Sequence, residues 1–465
     1  ASYNTAVGDQ ALLDNTTGAE NVAVGHAALF ENTTASYNTA VGNSALRDNT
    51  TGEKNTAVGQ TALENNTTGN RNTAVGRIAL YTNTTGHYNT ALGQGALYYN
   101  NADLNTSIGY ESMNANTTGG YNVAVGAYAL DANTTGASNT GLGYGALTAN
   151  TTASYNTAVG NGSLQANTTG ASNTAVGRDA LTANTTGPDN TAVGYQALDA
   201  NTTAGYNTAI GTKALTANTT GASNVSVGNV SLHDNTTGSD NTAIGANALR
   251  VSTTGGNNTA VGRMSLYANT TASYNTAFGR SAGYDITTGE ANVCLGFEAG
   301  KGQITTGNNN LWIARNDVGA SNAAAWIVGD GNGACFQGNN SSSWSTTSDR
   351  RLKKNIVDNT KGLAEINQLR VTNFEYRTED EIDMSEFPLA DNAHQVVLGE
   401  GNGGLHTGCI AQEVEDVLPE CIEITDKGAK TVQTDPIMWA LVNAVKELSA
   451  KNDALVARIT DLESN

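Results

Sequence analysis

Apolar residues along the first three hundred positions fall on a fixed beat. A small residue, a large apolar residue and a Gly follow Asn-Thr in Asn4-Thr-Ala-Val-Gly8, and the pattern returns in form at Asn21, Asn38, Asn55, Asn72 and Asn89. It resumes at Asn105 and Asn122 and runs on to Asn292, with every interval 17 residues except the 16 from Asn89 to Asn105. The full unit reads N-T-A-V-G-x-x-A-L-x-x-N-T-T-G-x-x. Self-similarity at a fixed period is the signature of a repeat architecture. Seventeen residues are too few for a helix pair, and a unit rich in Gly and Asn with two large apolar positions fits one coil of a β-solenoid. The predicted fold is therefore mainly β, a repetitive β-solenoid of 17-residue coils over residues 1–308. The period dissolves near Asn309, and residues 309–347 read as a β-rich connector and polar linker.

The first large apolar site is occupied by Val7, Val24 and Val41, and later by Leu92, Ile108, Phe278 and Leu295; the second by Leu12, Leu29, Leu46 and Met113. Both are expected to point into a thin core and stack coil on coil. The position between Thr and Val is always small, as at Ala6, Ser107, Gly141 and Cys294. Because a strand alternates its faces, this small site lies opposite Val and is expected to meet a close neighbour, either another wall of the coil or another chain. Gly8 and its equivalents call for a positive φ or a close backbone approach. Asn15 to Gly18 is turn chemistry, and Asn residues stacked in register are expected to form hydrogen-bonded ladders.

Eighteen coils at roughly 4.8 Å each give a rod of about 85 Å. One coil cannot bury its own apolar residues, so the array folds cooperatively, and side-by-side trimerisation would offset its thin core. The unit resembles the head repeats of trimeric autotransporter adhesins, which carry a similar small-apolar-Gly strand in shorter units. Ala1 to Gly8 reappears as Ala35 to Gly42, so residue 1 lies inside a coil and the chain is expected to be a piece, or the ordered part, of something longer.

Composition narrows the function classes. Charged residues make up 14%, against about 25% in a usual soluble chain. With 42 acidic and 23 basic residues the net charge is −19, which disfavours nucleic acid and anionic membrane surfaces. No apolar run approaches the ~20 residues of a membrane span, so no membrane insertion is expected, and no signal-peptide pattern opens the chain. Cys294, Cys335, Cys409 and Cys421 show no C-x-x-C spacing and the five His are scattered; no metal, cofactor or disulfide framework is expected. The recurring Asn-x-Thr triplets are explained by turn ladders without any sugar. A glycan-cleaving site would need paired carboxylates, and the acidic residues of the repeats fall at variable positions. An ice-binding face ranks low, because the Thr-Thr pairs sit in turns.

From Ser348 the charge density rises. Two stretches carry a resemblance: Ser348-Asp-Arg-Arg-Leu-Lys-Lys-Asn-Ile356, and Gly408-Cys-Ile-Ala-Gln-Glu-Val-Glu-Asp-Val-Leu-Pro-Glu420. With a terminal heptad segment they resemble the intramolecular chaperone domain of bacteriophage tailspikes and tail fibres, the self-cleaving peptidase S74 family typified by endosialidase tailspikes. The resemblance implies a small α+β chaperone domain over residues 348–436 and a trimeric coiled coil over 437–465. It also implies a cut between Thr347 and Ser348, with Ser348 and Lys353 as the dyad. The chemistry is consistent with the residue types. A neutral hydroxyl is a weak nucleophile and needs a base. Lys353 lies five residues on, within reach through a single bend, and acts as a base when desolvation lowers its pKa. Burial on trimer formation would supply that desolvation and tie cleavage to assembly. Asp349 and His406 are supporting candidates, His406 either polarising the scissile carbonyl, bonding across chains or serving as an ordinary structural His. Gln412 and Glu413 read as packing and interface residues, Glu420 and the run Glu379 to Asp383 as solvated loops.

The chain ends in a seam. Leu441, Val445, Leu448, Asn452, Leu455, Ile459 and Leu462 alternate in steps of four and three. That puts Val445, Asn452 and Ile459 at a and the Leu residues at d, with Asn452 fixing register at some cost in stability. Together these features predict a homotrimeric viral tail fibre or tailspike on the virion. Its expected partners are two further copies of itself, a host cell-surface receptor (glycan or protein) and other virion tail proteins. A cell-surface trimeric adhesin or structural filament with a non-cleaving chaperone domain fits the same sequence. The kinetic logic is common to both: identical coils pair in many wrong registers, and a C-terminal clamp fixes the register before the rod zips.

Overall fold

The computed structural model describes residues 1–314, 325–329, 335–337, 357–377, 379–387, 406–424 and 429–464. Two compact units divide the chain, Ala1–Gly331 with Cys335–Ser342, and Asn332–Ala334 with Ser343–Asn465.

The first unit is a β-solenoid built on eighteen three-residue strands, β1 (Thr5–Val7), β2 (Val22–Val24) and onward at one strand per coil to β18 (Val293–Leu295). Neighbours pair parallel and in register, Thr5 with Val22, Ala6 with Ala23 and Val7 with Val24. The 16-residue interval leaves this register intact, since Thr90 pairs with Thr106 and Leu92 with Ile108. β-branched residues at alternate positions suit the pleated strand. The remainder of each coil is turn, yet it too bonds coil to coil: Leu29 N donates to Ala45 O at 3.1 Å, and Thr16 N to Thr33 O at 2.9 Å.

The interior corrects one expectation. From Leu29 onward the Leu column is fully buried, but the Val column is not inside. Ala23, Ala40 and their equivalents fill the strand's inward positions at 0% exposure, whereas Val7 is 57%, Leu92 45% and Phe278 47% exposed. The coil's width explains this. A Cβ added at Gly141 would lie 3.5 Å from Leu130 Cδ1 and 3.3 Å from Ala146 O, so Leu from the opposite wall leaves room for a methyl and no more. The close neighbour of the small site is thus the coil's other wall. Val, Ile, Leu and Phe form a ridge along the outer face of the sheet.

The inward Leu residues carry a backbone cost. Leu12, Leu29 and Leu46 sit at φ of 54°, 51° and 53°, a left-handed conformation unfavourable by about 1–2 kcal/mol for a residue with a Cβ. Burying a Leu side chain contributes about 1.5–3 kcal/mol, enough to offset it. Gly25 meets both demands expected of its column: its φ is 133°, and a Cβ there would stand 2.5 Å from Gly42 O.

The Asn ladders form, and there are two. Asn32 Nδ2 donates to Asn15 Oδ1 at 2.9 Å and Asn49 Nδ2 to Asn32 Oδ1 at 3.0 Å, while Asn32 Nδ2 also closes its own turn on Ala35 O. In the other column Asn21 N donates to Asn4 Oδ1 and Asn38 N to Asn21 Oδ1, each at 2.9 Å, and Asn21 Nδ2 reaches Ala35 O. Buried amides so paired avoid the roughly 1–3 kcal/mol of an unmet polar group. The first ladder has a gap where Ser252 replaces Asn: Asn235 Oδ1, Ser252 Oγ and both amide atoms of Asn269 are buried without a partner. Beyond it Ile286 and Ile304 take over the column and stack as apolar residues.

β19 (Leu311–Ala314) adds a further parallel strand, pairing Leu311 with Val293. β20 (Ala325–Gly329) and β21 (Cys335–Gln337) then turn the sheet antiparallel. Trp312 stands at the inward position opposite Cys294, 7% exposed, and closes the thin core with a large ring.

The second unit is α+β. Its described elements are α1 (Leu363–Ile366), β22 (Thr372–Phe374), β23 (His406–Gly408), α2 (Ala411–Val417), β24 (Ile422–Ile424), β25 (Lys430–Val432) and α3 (Thr434–Glu463). β22 pairs antiparallel with β23, and β24 with β25. Among the described residues its core is small: Val414, Leu418 and Cys421 are buried, rimmed by Leu369, Cys409, Val417, Ile422, Val432 and Ile437.

Candidate functional site

Thr347, Ser348, Asp349 and Lys353 lie outside the described residues. What the structure does place is the frame around the second motif. His406 opens β23 and pairs with Phe374 across the β22–β23 ladder. Thr407 Oγ1 donates to Asn373 Oδ1 at 2.6 Å and Thr372 Oγ1 to Gly408 O at 3.3 Å. A Cβ at Gly408 would stand 3.4 Å from the Phe374 ring, so the ring packs against the motif's first Gly.

The rest of the motif is α2 and the turn after it. Val414 and Leu418 are four residues apart and share the inward face. Two carboxylates on this helix are ion-paired within the chain: Glu413 with the Arg370 guanidinium, and Glu415 with Lys430. Glu413, expected at an interface, is thus engaged inside its own unit. Glu420 lies exposed on the short 3-10 turn Pro419–Cys421, and Glu379–Glu381 forms another. Burial pushes the Cys421 thiol above its ordinary pKa, with Glu420 adding to it. That disfavours a thiolate nucleophile.

One set of contacts had no signal in the sequence. Asn443 of α3 donates to the carbonyls of Asn359 at 2.9 Å and Lys361 at 3.0 Å, and Glu447 accepts from Leu363 N at 3.3 Å. A Cβ at Gly362 would be 2.1 Å from Glu447 Oε1. These bonds join segments more than eighty residues apart, and so anchor the long helix to the start of α1. The Glu365 carboxylate accepts from Gly362 N at 2.9 Å, and this holds its pKa below the usual value.

The seam residues all lie on α3. Ala440 and Ala444 are the helix's buried contacts with its own unit. Leu441, Val445, Leu448, Leu455, Ile459 and Leu462 are each about half exposed or more, and Val445, Leu448, Asn452 and Leu455 share one open face of the helix. Trp439, Met438 and Val371 add exposed apolar surface.

Residues 348–423 match the family described as the chaperone of endosialidase, peptidase S74. The peptidase S74 match opens on Ser348 and includes α2 with its motif. It implies an autoproteolytic chaperone segment, and a β-solenoid followed by such a segment fits a tailspike or fibre-like protein. Among the described residues no cluster of three His, Cys, Asp or Glu could hold a metal, and no helix is long and apolar enough to cross a membrane.

Proposed function

We propose that this chain is a homotrimeric viral tail fibre or tailspike protein used for host attachment. Its C-terminal chaperone directs trimer assembly and then cuts itself off between Thr347 and Ser348. The observation that carries the reading is the start of the peptidase S74 match at residue 348, the residue that motif and chemistry single out as nucleophile. Ser348 Oγ attacks the Thr347 carbonyl carbon while its proton passes to Lys353 Nζ. The peptide C–N bond breaks, the Ser348 nitrogen takes the proton, and an ester joins Thr347 to Ser348 Oγ. Water then hydrolyses the ester, leaving a Thr347 carboxylate and a free Ser348 amine and hydroxyl. Asp349 and His406 are proposed to support this centre.

Two exposed apolar surfaces support trimerisation. Three copies of α3 packing through Leu441, Val445, Leu448, Leu455, Ile459 and Leu462 would bury a seam that the single chain leaves in water. The Val ridge gives each rod a matching face, and the burial of three such ridges would contribute about 25 cal/mol for each Å² of apolar area covered.

A denaturing gel tests the cleavage. Fresh wild-type protein is expected to yield a fragment beginning at Ser348, absent in Ser348→Ala and Lys353→Ala. A single intact band from wild-type protein at every native pH would remove the protease. Light scattering on Ser348→Ala protein is expected to give three chains, and one chain in Leu448→Glu/Leu455→Glu. A monomeric parent would remove the assembly.

A further inference from the structure

We propose that the rod carries a binding site for an acidic oligosaccharide just ahead of its 16-residue coil, built on the basic and aromatic column Tyr37, Lys54, Arg71 and Tyr88. This deepens the attachment reading above by naming where a receptor is held and what its chemistry is.

The column is set by the backbone. The four residues occupy the same place in successive coils, each just before the strand's Asn, at φ of 65°, 58°, 57° and 58°. Arg71 N donates to Glu53 O and Tyr88 N to Asn70 O, both at 3.0 Å, so neighbours stand one strand spacing apart, about 4.8 Å. All four side chains face solvent. Lys54 Nζ lies 5.8 Å from the Tyr37 ring centre and Arg71 Cζ 5.2 Å from that of Tyr88. Arg71 also donates to the Tyr88 hydroxyl. Each cation thereby rests on an aromatic ring, Lys54 on that of the preceding coil and Arg71 on that of the following one.

Cation–aromatic stacks recur along the rod, as Arg250 on Tyr267 and Arg280 on Phe297, but this one borders a recess. Residues 1–308 hold ten Lys and Arg, four of them within residues 47–77. Arg47 is spoken for by Asp48 and Glu64, whereas among the described residues neither Lys54 nor Arg71 forms an ion pair. Cations not already engaged by a carboxylate are free to take an anion from solution.

A recess lies beside the column. A cavity of about 470 Å³ is bounded by Lys54, Arg71, Tyr88, Asn70 and His87, with Glu53 and Thr51 also lining it. Asn70 N donates to His87 Nδ1 at 3.0 Å, which leaves the ring proton on Nε2 as a donor. A second cavity of about 560 Å³ shares His87 and continues past Asn101 to Tyr121. The second adjoins the 16-residue interval, where the three residues Asn100-Asn-Ala102 stand for the usual four of Asn-Thr-Thr-Gly, Asn100 Nδ2 closing the turn on Ala102 O at 2.9 Å as Asn83 Nδ2 does on Gly86 O at 3.1 Å. There the Asn101 side chain is recruited to hold the preceding turn, accepting from Thr84 N at 3.1 Å and Thr85 N at 2.9 Å. The shortened turn thus lines the second recess through Asn101, Ala102 and Asp103.

The chemistry selects the ligand class. Guanidinium and ammonium groups bind carboxylate or sulfate, exposed Tyr faces take the apolar faces of sugar rings, and the amide and imidazole groups match hydroxyls. A pair of cations is too few for a nucleic-acid backbone on a rod this acidic. The first recess sets Lys54 and Arg71 against one carboxylate, Glu53, while the second has Asp103 and no Lys or Arg, so the acidic sugar belongs at Lys54 and Arg71 and neutral units extend toward Tyr121.

Calorimetric titration of the full-length Ser348→Ala protein tests this without depending on cleavage. The probes are oligogalacturonate, sialyllactose and a heparin hexasaccharide, with maltohexaose as neutral comparison. At least one acidic probe is expected to bind, more weakly as salt is raised, and maltohexaose not to. Lys54→Gln/Arg71→Gln is expected to lower that affinity by about tenfold or more, the size of losing charge-assisted bonds, while Arg263→Gln leaves it unchanged and both variants melt as the parent does. Binding of no acidic probe, equal binding of the neutral one, or an unaffected double variant overturns the site. A trimer that cleaves normally in its wild-type form but binds none of these sugars would overturn this inference and leave the assembly reading standing.

Discussion

The rod and the C-terminal unit solve opposite problems. In the rod every coil repeats the same contacts with the next, and its inward positions are sealed: Ala, Leu and both Asn columns have no solvent exposure over most of the stack. In the C-terminal unit the buried apolar side chains among the described residues are Val414, Leu418, Cys421, Ala440 and Ala444, while a 30-residue helix presents its apolar seam to water. The rod is locally complete and carries little information about register, because one coil resembles the next. The other unit is locally incomplete, and its uncovered surface has a defined pattern that specifies how copies meet. A repeat gains stability from sameness and loses specificity by it; an irregular small domain does the reverse.

The comparison is broken most sharply in the rod's glycine column. Gly126→Ala puts a Cβ 2.4 Å from Gly143 O at a φ of 137°. Strain and clash are expected to cost about 2–4 kcal/mol in a denaturant melt followed by circular dichroism. A loss under ~1 kcal/mol would mean that the coils are not in tight backbone contact. An equal change in the C-terminal unit's own transition would mean that the two units do not melt separately.

A gain is expected from repairing the ladder. Ser252→Asn supplies partners to Asn235 and Asn269, which now lack them, and is expected to raise rod stability by about 1 kcal/mol. The same melt checks it, with Ser231→Asn, outside the ladder column, expected to give no gain.

The smallest effect has opposite signs in the two regions. In the rod burial raises the pKa of Glu64, Asp131 and Asp199. The folded rod therefore holds protons that the unfolded chain releases. Its stabilisation from these groups is full below the ordinary carboxylate pKa and is lost as pH rises through the raised folded values. In the C-terminal unit Glu365 is lowered by the Gly362 N–H and Asp383 by the Ser385 hydroxyl and N–H. Their contribution is present above the ordinary pKa and is lost as pH falls through the lowered values. As pH is taken from neutral to below the ordinary carboxylate range, the melting temperature is expected to shift upward for the rod's transition and downward for the other. Parallel shifts would show that different carboxylates dominate.

Much was legible in the chain itself. The 17-residue period, the parallel in-register stack, the Gly column and the Asn ladders follow from residues that recur at one spacing, because a ladder requires the same group at the same place in every coil. The buried Leu column was legible for the same reason. In the C-terminal unit the motif around α2 could be recognised, but not the bonds from Asn443 and Glu447 to residues 359–363, since nothing local links groups so far apart. Neither could it be read that Glu413 is taken by Arg370.

What the sequence determined by itself was periodicity, and periodicity fixes which residues share a column. What the tertiary structure decided was which side of the wall each column faces. Alternation makes Ala and Val opposites without saying which is inside, and hydropathy favoured Val. The width of the coil reversed that choice: with Leu projecting from the far wall, the space left at the strand admits a methyl group, so Val, Ile and Phe stand outside.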